Sequence, residues 1–382
     1  MIIRANGKIC CHRFAGNPYH QSDWMPEGER RGPALCSPFG HTSRLGGNAA
    51  RGRFCFHGGN TSPDVEAKEG KDGGMSAASI VTCDTVADIV REVFDLVRWD
   101  RSHLDGPEVC YYFRGEKKEH SPIASAKLTP GIYRDPGQLK HESDIFNEAL
   151  RAFPEEFAKD RTTFEILTRM QHYGYPTRLA DVTPKLMTAI GMVRSEGADP
   201  EQEDRERDGY IHVYRVRADR IKYGTSDTVT ALSNLARLKN ERVTLDDLRY
   251  LEAECKNERA GFFWDEGSET SRALQRDIQK VWCVRPMVNN IRVNFQAGEF
   301  FLFGCGENKA ALDASFEEYD YDNEDAATFG IARIGVLAVT PSAKEELDEF
   351  KETLDIGDER LYPDFAHHSK MLKDKYKKGK NS

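Results

Sequence analysis

The chain has 382 residues, with 54 Lys and Arg against 63 Asp and Glu, for a net charge of −9. That length holds one large domain or two ordinary ones, and the acidic balance argues against a broad nucleic-acid-binding surface while leaving room for a local basic groove. No apolar run approaches the roughly 18 residues that cross a bilayer, and Met1-Ile2-Ile3-Arg4-Ala5-Asn6-Gly7 lacks the apolar core of a signal peptide, so a cytoplasmic protein without a membrane partner is expected.

Residues 1–74 are rich in Gly, Arg, Ser and Pro and show no sustained periodicity, which predicts a poorly structured leader. Cys10, Cys11, Cys36 and Cys55 are interleaved there with His12, His20, His41 and His57. No Cys-x-x-Cys pair occurs among them, so no metal site is predicted. Met75 opens Met-Ser-Ala-Ala-Ser-Ile-Val-Thr, which reads as a natural start, and the leader is expected not to belong to the native protein.

Beyond Met75 the elements are legible in order. Asp84 or Thr85 caps a helix with Val86, Ile89, Val90, Val93 and Val97 on one face. Gly106 and Pro107 end it, and Val109 to Arg114 is β-branched and aromatic enough for a buried strand. A helix follows from Ser143 to about Phe153. The next, Thr162 to Tyr173, opens on a capping box between Thr162 and Glu165 and buries Phe164, Leu167 and Met170. Gly174 suits the left-handed residue that stops a helix, and Pro176 prevents its continuation. Arg178 to Val182 then runs extended. Thr183 caps a helix with Pro184 at its first position and Leu186, Ala189, Ile190 and Val193 inside.

Glu196 to Asp208 holds seven acidic and two basic residues and reads as a solvated loop. Tyr210 to Val216 is a strand, and 226–258 is mostly helical with a break near Val243-Thr244. Strands follow at Trp282-Cys283-Val284, Ile291 to Phe303 and Ile334 to Val339, before a helix beginning near Ser342. Residues 377–382 continue a basic, solvated tail. Strands and helices mix without β-α-β alternation, which predicts an α+β fold: a mixed, mainly antiparallel sheet core with surrounding helices.

Five short runs resemble one family. They are Tyr112-Phe113-Arg114-Gly115-Glu116; Leu128-Thr129-Pro130-Gly131-Ile132-Tyr133-Arg134 with Glu142 beyond it; Gln171-His172-Tyr173-Gly174-Tyr175-Pro176-Thr177-Arg178-Leu179-Ala180-Asp181-Val182-Thr183; Ile291 to Phe300; and Leu361-Tyr362-Pro363-Asp364-Phe365. Together they resemble the FRG domain, named for its Phe-Arg-Gly tripeptide, across residues 76–376. Ala180 and Val182 stand where the family usually carries Leu and Trp.

The resemblance implies an ADP-ribosyltransferase-like fold and a chain that takes NAD as substrate. Such a protein would be an ADP-ribosyltransferase or NAD glycohydrolase, extending to a toxin or defence effector in bacterial or phage conflict. Its acceptor is left open: protein, nucleic acid, small molecule or water. The implied reaction passes through an oxocarbenium-like ribose cation. Arg114 is expected to hold the dinucleotide through its forked guanidinium, in a binding set with His172, Tyr175, Thr177, Arg178 and Asp181. Thr183, with Thr177 and Tyr175, would face the nicotinamide end. Gln296 is the expected late-strand group at the ribose, and Glu299 its rival.

Structural roles compete at several of these positions. Arg114 has Glu116, Glu142 and Asp181 as candidate ion partners, His172 could cap a helix C-terminus, and Asp181 could organise the turn. The alternative function is a non-catalytic module that binds a nucleotide or a partner.

Overall fold

Two mixed β-sheets carry the fold, and the chain alternates between them. The first contains β1 (Ile80–Cys83), β2 (Val109–Glu116), β4 (Gly209–Arg217), β8 (Glu317–Glu318) and β9 (Ile331–Val339), in the order β1-β9-β4-β2 with β8 also pairing β9. The second contains β3 (Leu179–Val182), β5 (Ile221–Tyr223), β6 (Val281–Arg285) and β7 (Glu299–Phe303), in the order β3-β7-β6-β5. The computed structural model describes residues 80–103, 108–118, 128–194, 206–240, 243–259, 261–262, 269–287, 298–306, 309, 317–318, 330–357, 361, 368–369 and 372–373. All of them lie in the unit Gly70–Ser382. The expected leader, most of the acidic loop, Gln296, Tyr362 to Phe365 and the basic tail fall outside the described residues.

The helices are α1 (Val86–His103), α2 (Pro136–Lys140), α3 (Glu142–Ala152), α4 (Pro154–Phe157), α5 (Thr163–His172) and α6 (Leu186–Arg194), followed by α7 (Asp227–Asn234), α8 (Leu245–Glu258), α9 (Glu269–Ile278) and α10 (Pro341–Phe350). None of the described helices is long and apolar enough to cross a membrane. α+β organisation is therefore present, with its core divided between two mixed sheets.

Side-chain alternation explains the layers. One face of the first sheet gives Phe113, Ile211, Val213, Ile334 and Leu337 to a core shared with Ile89, Val93 and Leu96 of α1, Ala189, Ile190 and Val193 of α6, and Ala343 and Leu347 of α10. The opposite face gives Tyr112, Tyr214 and Val216 to a second core, where they meet Ala180, Val182, Cys283, Phe301 and Phe303 of the second sheet. Phe164 and Leu167 of α5 and Val229 and Leu232 of α7 cover the outer face of that sheet through Leu179, Trp282, Val284 and Phe300.

Three elements differ from the sequence reading. β1 is not anticipated there, because a four-residue β-branched run becomes a strand only through a distant partner, and it pairs in parallel with β9 from Ile80↔Val336 to Cys83↔Val339. The strand expected over Ile291 to Phe303 is described only from Glu299. α6 begins at Leu186 rather than Pro184, with the Thr183 Oγ accepting from the Lys185 N–H at 3.2 Å.

Candidate ligand-binding site

Each residue of the Phe-Arg-Gly tripeptide on β2 has its own structural task. Phe113 exchanges both backbone hydrogen bonds with Thr183, at 2.8 and 2.9 Å, and so joins β2 of one sheet to the chain just beyond β3 of the other. Gly115 lies against α6, and a Cβ there would fall inside the backbone carbonyl of Ala189. Arg114, between them, points to the opposite face from Phe113.

The Arg114 guanidinium is held on two sides. Its Nε donates to Glu116 Oε1 at 2.9 Å and its Nη1 to the backbone carbonyl of Asp181 at 2.8 Å. Burial opposes its charge, but Glu116 and Asp181 outweigh that and raise its pKa. The Glu116 side chain is only 1 % exposed, and its other oxygen lies 3.5 Å from His212 Nε2. Burial pushes that carboxyl up, yet His212 and Arg114 prevail and hold it well below the usual carboxylate range. Arg114 is thus a fixed cation whose Nη2 has no protein partner among the described residues.

The turn after α5 builds the facing wall. Thr162 and Glu165 form the expected capping box at the start of this helix. At its end Gly174 adopts φ +81°, the Gly174 N–H reaches the Gln171 carbonyl at 3.1 Å, and the Tyr175 N–H reaches the Met170 carbonyl at 3.0 Å. This is a Schellman stop, which favours a residue without a Cβ at the left-handed position. It turns the chain so that Thr177 comes back onto Gln171. Thr177 Oγ accepts from the Leu179 N–H at 3.2 Å and donates to Gln171 Oε1 at 2.6 Å. Gln171 Nε2 in turn donates to Asp181 Oδ2 at 2.8 Å.

The run Leu128 to Arg134 closes the third side. The Ile132 N–H donates to the Thr177 carbonyl at 3.1 Å, and Gly131 packs against Pro176. Between these walls lies an open cleft of about 360 Å³, lined by Arg114, Arg134, Asp135, Gln138, Gln171 and Tyr175 with Pro130, Pro176 and Ala180. Its size falls in the range of small-ligand sites. A second depression beside Asp160, Phe164, Arg169 and Met287 has about 40 Å³ and suits a water molecule or two. Arg134 stands exposed in the larger cleft, held by a 3.3 Å bond from its Nε to the Thr129 carbonyl. Desolvation and the neighbouring Arg114 charge both lower its pKa. Two guanidinium groups therefore share one cleft, and no carboxylate among the described residues forms an ion pair with Arg134.

Arg178 occupies a different place. It is fully buried, with Nε and Nη2 on the two oxygens of Glu142 at 2.9 and 2.5 Å and Nη1 on the Phe303 carbonyl at 3.0 Å. Burial opposes its charge, and Glu142 more than restores it. Tyr133 donates to the neighbouring Gly304 carbonyl at 2.9 Å, and Lys309 lies 3.4 Å from Glu142. The group fastens α3, the cleft loop and the end of β7 together, away from the cleft lining.

Among the remaining expected site residues, Tyr175 lines the cleft, while Thr177 and Asp181 stand behind it. His172 is half-buried in the last turn of α5, its ring edge-to-face with Tyr173 at 5.1 Å, and is not part of the lining. Thr183 is completely buried at the inter-sheet bridge. Glu299 sits under Tyr112, accepting from its hydroxyl at 2.6 Å, with Arg285 Nε at 3.3 Å and the Cys283 thiol at 3.7 Å. Burial raises its pKa above the ordinary glutamate value. Gln296 lies outside the described residues.

Sequence reasoning passed over Gln171, Arg134, Glu116 and Glu142 as site residues. All four sit in or beside runs that carry the family resemblance, so the signal was present. What was missing was the pairing that gives each a task. Residues 110–198, from β2 through α6, match the family model of the FRG domain. No curated protein and no solved structure matches the chain. The matched stretch supplies Arg114, Arg134, Gln171 and Asp181, and it is this stretch of the chain that is similar to the FRG domain.

Proposed function

We propose that the cleft takes the pyrophosphate of NAD, and that the chain is an ADP-ribosyltransferase or the corresponding NAD glycohydrolase with an ADP-ribosyltransferase-like fold. The observation that carries this reading is the pairing of Arg114 and Arg134 in one open cleft, with Arg134 lacking any acidic partner among the described residues. Two like charges so placed repel each other, and a bridging anion turns that repulsion into attraction. Forked guanidinium groups match phosphate oxygens in geometry as well as charge.

In the proposed reaction the bond between ribose C1′ and the nicotinamide nitrogen breaks, nicotinamide leaves with the electron pair, and an acceptor nucleophile bonds to C1′ and loses its proton. The acceptor is a protein side chain, a nucleic acid, a small molecule or water. Gln296 is the group put forward to face the developing ribose cation, with Glu299 as its rival.

A second reading, a non-catalytic nucleotide-binding module, is favoured by one specific observation. Thr183 is sealed at the sheet junction, and the Glu299 carboxylate is engaged by Tyr112 and Arg285. Incubating the purified chain with radiolabelled NAD, with and without cell lysate, separates the two. Nicotinamide release that disappears in Arg114→Ala supports the enzyme, and label carried by a macromolecule identifies the acceptor class. Nucleotide binding with no release supports the module.

A further inference from the structure

We infer that Gln171 is a ligand-contacting residue whose amide is locked as a donor, so that it joins Arg114 and Arg134 in holding a pyrophosphate. The inference rests on the anion reading of the cleft but not on turnover.

A glutamine amide can present either its oxygen or its nitrogen, and here both ends are dictated. Asp181 Oδ2, 2.8 Å from one end, belongs to a carboxylate and can only accept, so that end is the nitrogen. At the other end Thr177 already accepts the Leu179 N–H on its Oγ, leaving its hydroxyl proton for Gln171 Oε1 at 2.6 Å. Thr177 is 1 % exposed, so water does not compete for that proton. The amide oxygen takes the Thr177 proton, and Nε2 retains one hydrogen with no partner among the described residues.

Gln171 lines the cleft together with Arg114 and Arg134. The Arg114, Arg134 and Gln171 side chains offer N–H groups, and a group made only of acceptors, such as a pyrophosphate, satisfies all three. Asp135 and Gln138 also line the cleft and bring acceptors of their own. On this inference Arg114, Arg134 and Gln171 form the phosphate subsite.

Titration calorimetry of the full chain with inorganic pyrophosphate tests this, using adenosine and nicotinamide as comparison probes. The wild type is expected to bind pyrophosphate, and loss of the Gln171 donor to weaken that probe and neither adenosine nor nicotinamide. Gln171→Met, which keeps length and removes the donor, should weaken pyrophosphate about tenfold, the scale of one charge-assisted hydrogen bond. Thr177→Val should weaken it roughly threefold or more by freeing the amide to turn, and Thr177→Ser, which restores the hydroxyl, should recover wild-type affinity.

A folded Gln171→Met that binds pyrophosphate as the wild type does would overturn the inference. So would equal affinities for Thr177→Val and Thr177→Ser, or binding of adenosine or nicotinamide that Gln171→Met abolishes. If Gln171→Met does not fold, the Val and Ser pair at Thr177 decides alone. Pyrophosphate binding without NAD cleavage would sustain this inference and sink the transferase reading. NAD cleavage indifferent to Gln171 and Thr177 would do the reverse.

Discussion

Arg114 donates to the backbone carbonyl of Asp181 at 2.8 Å, while the carboxylate of Asp181 takes the Gln171 amide instead. One residue thus aims two cleft groups, one through its main chain and one through its side chain. Asp181→Ala should spare the Arg114 anchor, since any residue supplies the carbonyl, and release Gln171. Pyrophosphate affinity should fall several-fold in Asp181→Ala and about tenfold or more in Arg114→Ala. Equal losses in the two variants, measured by calorimetry, would count against this division of labour.

Arg134 offers the cleanest separation of binding from folding. It is exposed, and its one hydrogen bond among the described residues is the 3.3 Å contact with Thr129. Arg134→Ala should leave stability within about 0.5 kcal/mol of the wild type, as surface changes usually do. Its affinity for pyrophosphate or NAD should drop about tenfold, the scale of a lost charge-assisted contact. Denaturant titration and calorimetry on the same preparation check both halves.

Arg178 should behave oppositely. Its replacement leaves Glu142 with Lys309 as its one cation among the described residues, and breaking a buried pair from one side costs about 3–5 kcal/mol. Arg178→Met should therefore lower the urea midpoint sharply. A stable Arg178→Met that merely binds nucleotide poorly would return Arg178 to the binding set.

One buried and one half-buried glutamate pull the pH dependence of stability in opposite directions. Glu116 has a depressed folded pKa, so its contribution is present above the ordinary glutamate value of about 4.3 and is lost as pH falls toward the folded value. Glu299 has a raised folded pKa, so its contribution is present below the ordinary value and is lost as pH rises through the folded value. Urea unfolding from about pH 7 to about pH 3 should show a shallower acid loss in Glu116→Gln than in wild type. Glu299→Gln should remove the opposing contribution and steepen that loss. Parallel curves for all three proteins would refute the assignment.

Gly115 is a steric requirement rather than a flexible joint. A Cβ at this position meets the backbone carbonyl of Ala189, which cannot swing aside as a side-chain tip would. Gly115→Ala should cost about 3 kcal/mol, the upper end of overpacking penalties. Thermal unfolding measures it; an unchanged midpoint would mean that α6 moves freely on β2.

Much of the local architecture is legible in the sequence because its causes are local. Thr162 and Glu165 cap α5 through groups three residues apart, and Gly174 and Tyr175 stop it through bonds to Gln171 and Met170. The apolar faces of α1 and α6 follow from helical spacing. The cleft is legible only as a set of suggestive residues. Arg114 reads as a cation in want of a partner, yet Glu116, Glu142 and Asp181 are equally eligible on paper. Arg178 lies four residues beyond the Gly174 stop, while its partner Glu142 lies 36 positions away, and nothing local selects it.

Where helices start and stop, and which of their faces are apolar, is therefore written in the amino-acid order. Those outcomes depend on backbone groups finding partners within a few residues and on the regular spacing of side chains. Tertiary contact was needed to bring Arg114 and Arg134 into one cleft, to let Asp181 hold one neighbour by its carbonyl and another by its carboxylate, and to seal Arg178 against Glu142. A charged side chain takes whichever partner the strand order and burial bring to it. Here that order is set by the Phe113–Thr183 bridge and the pairing of β3 with β7, between segments far apart in the chain.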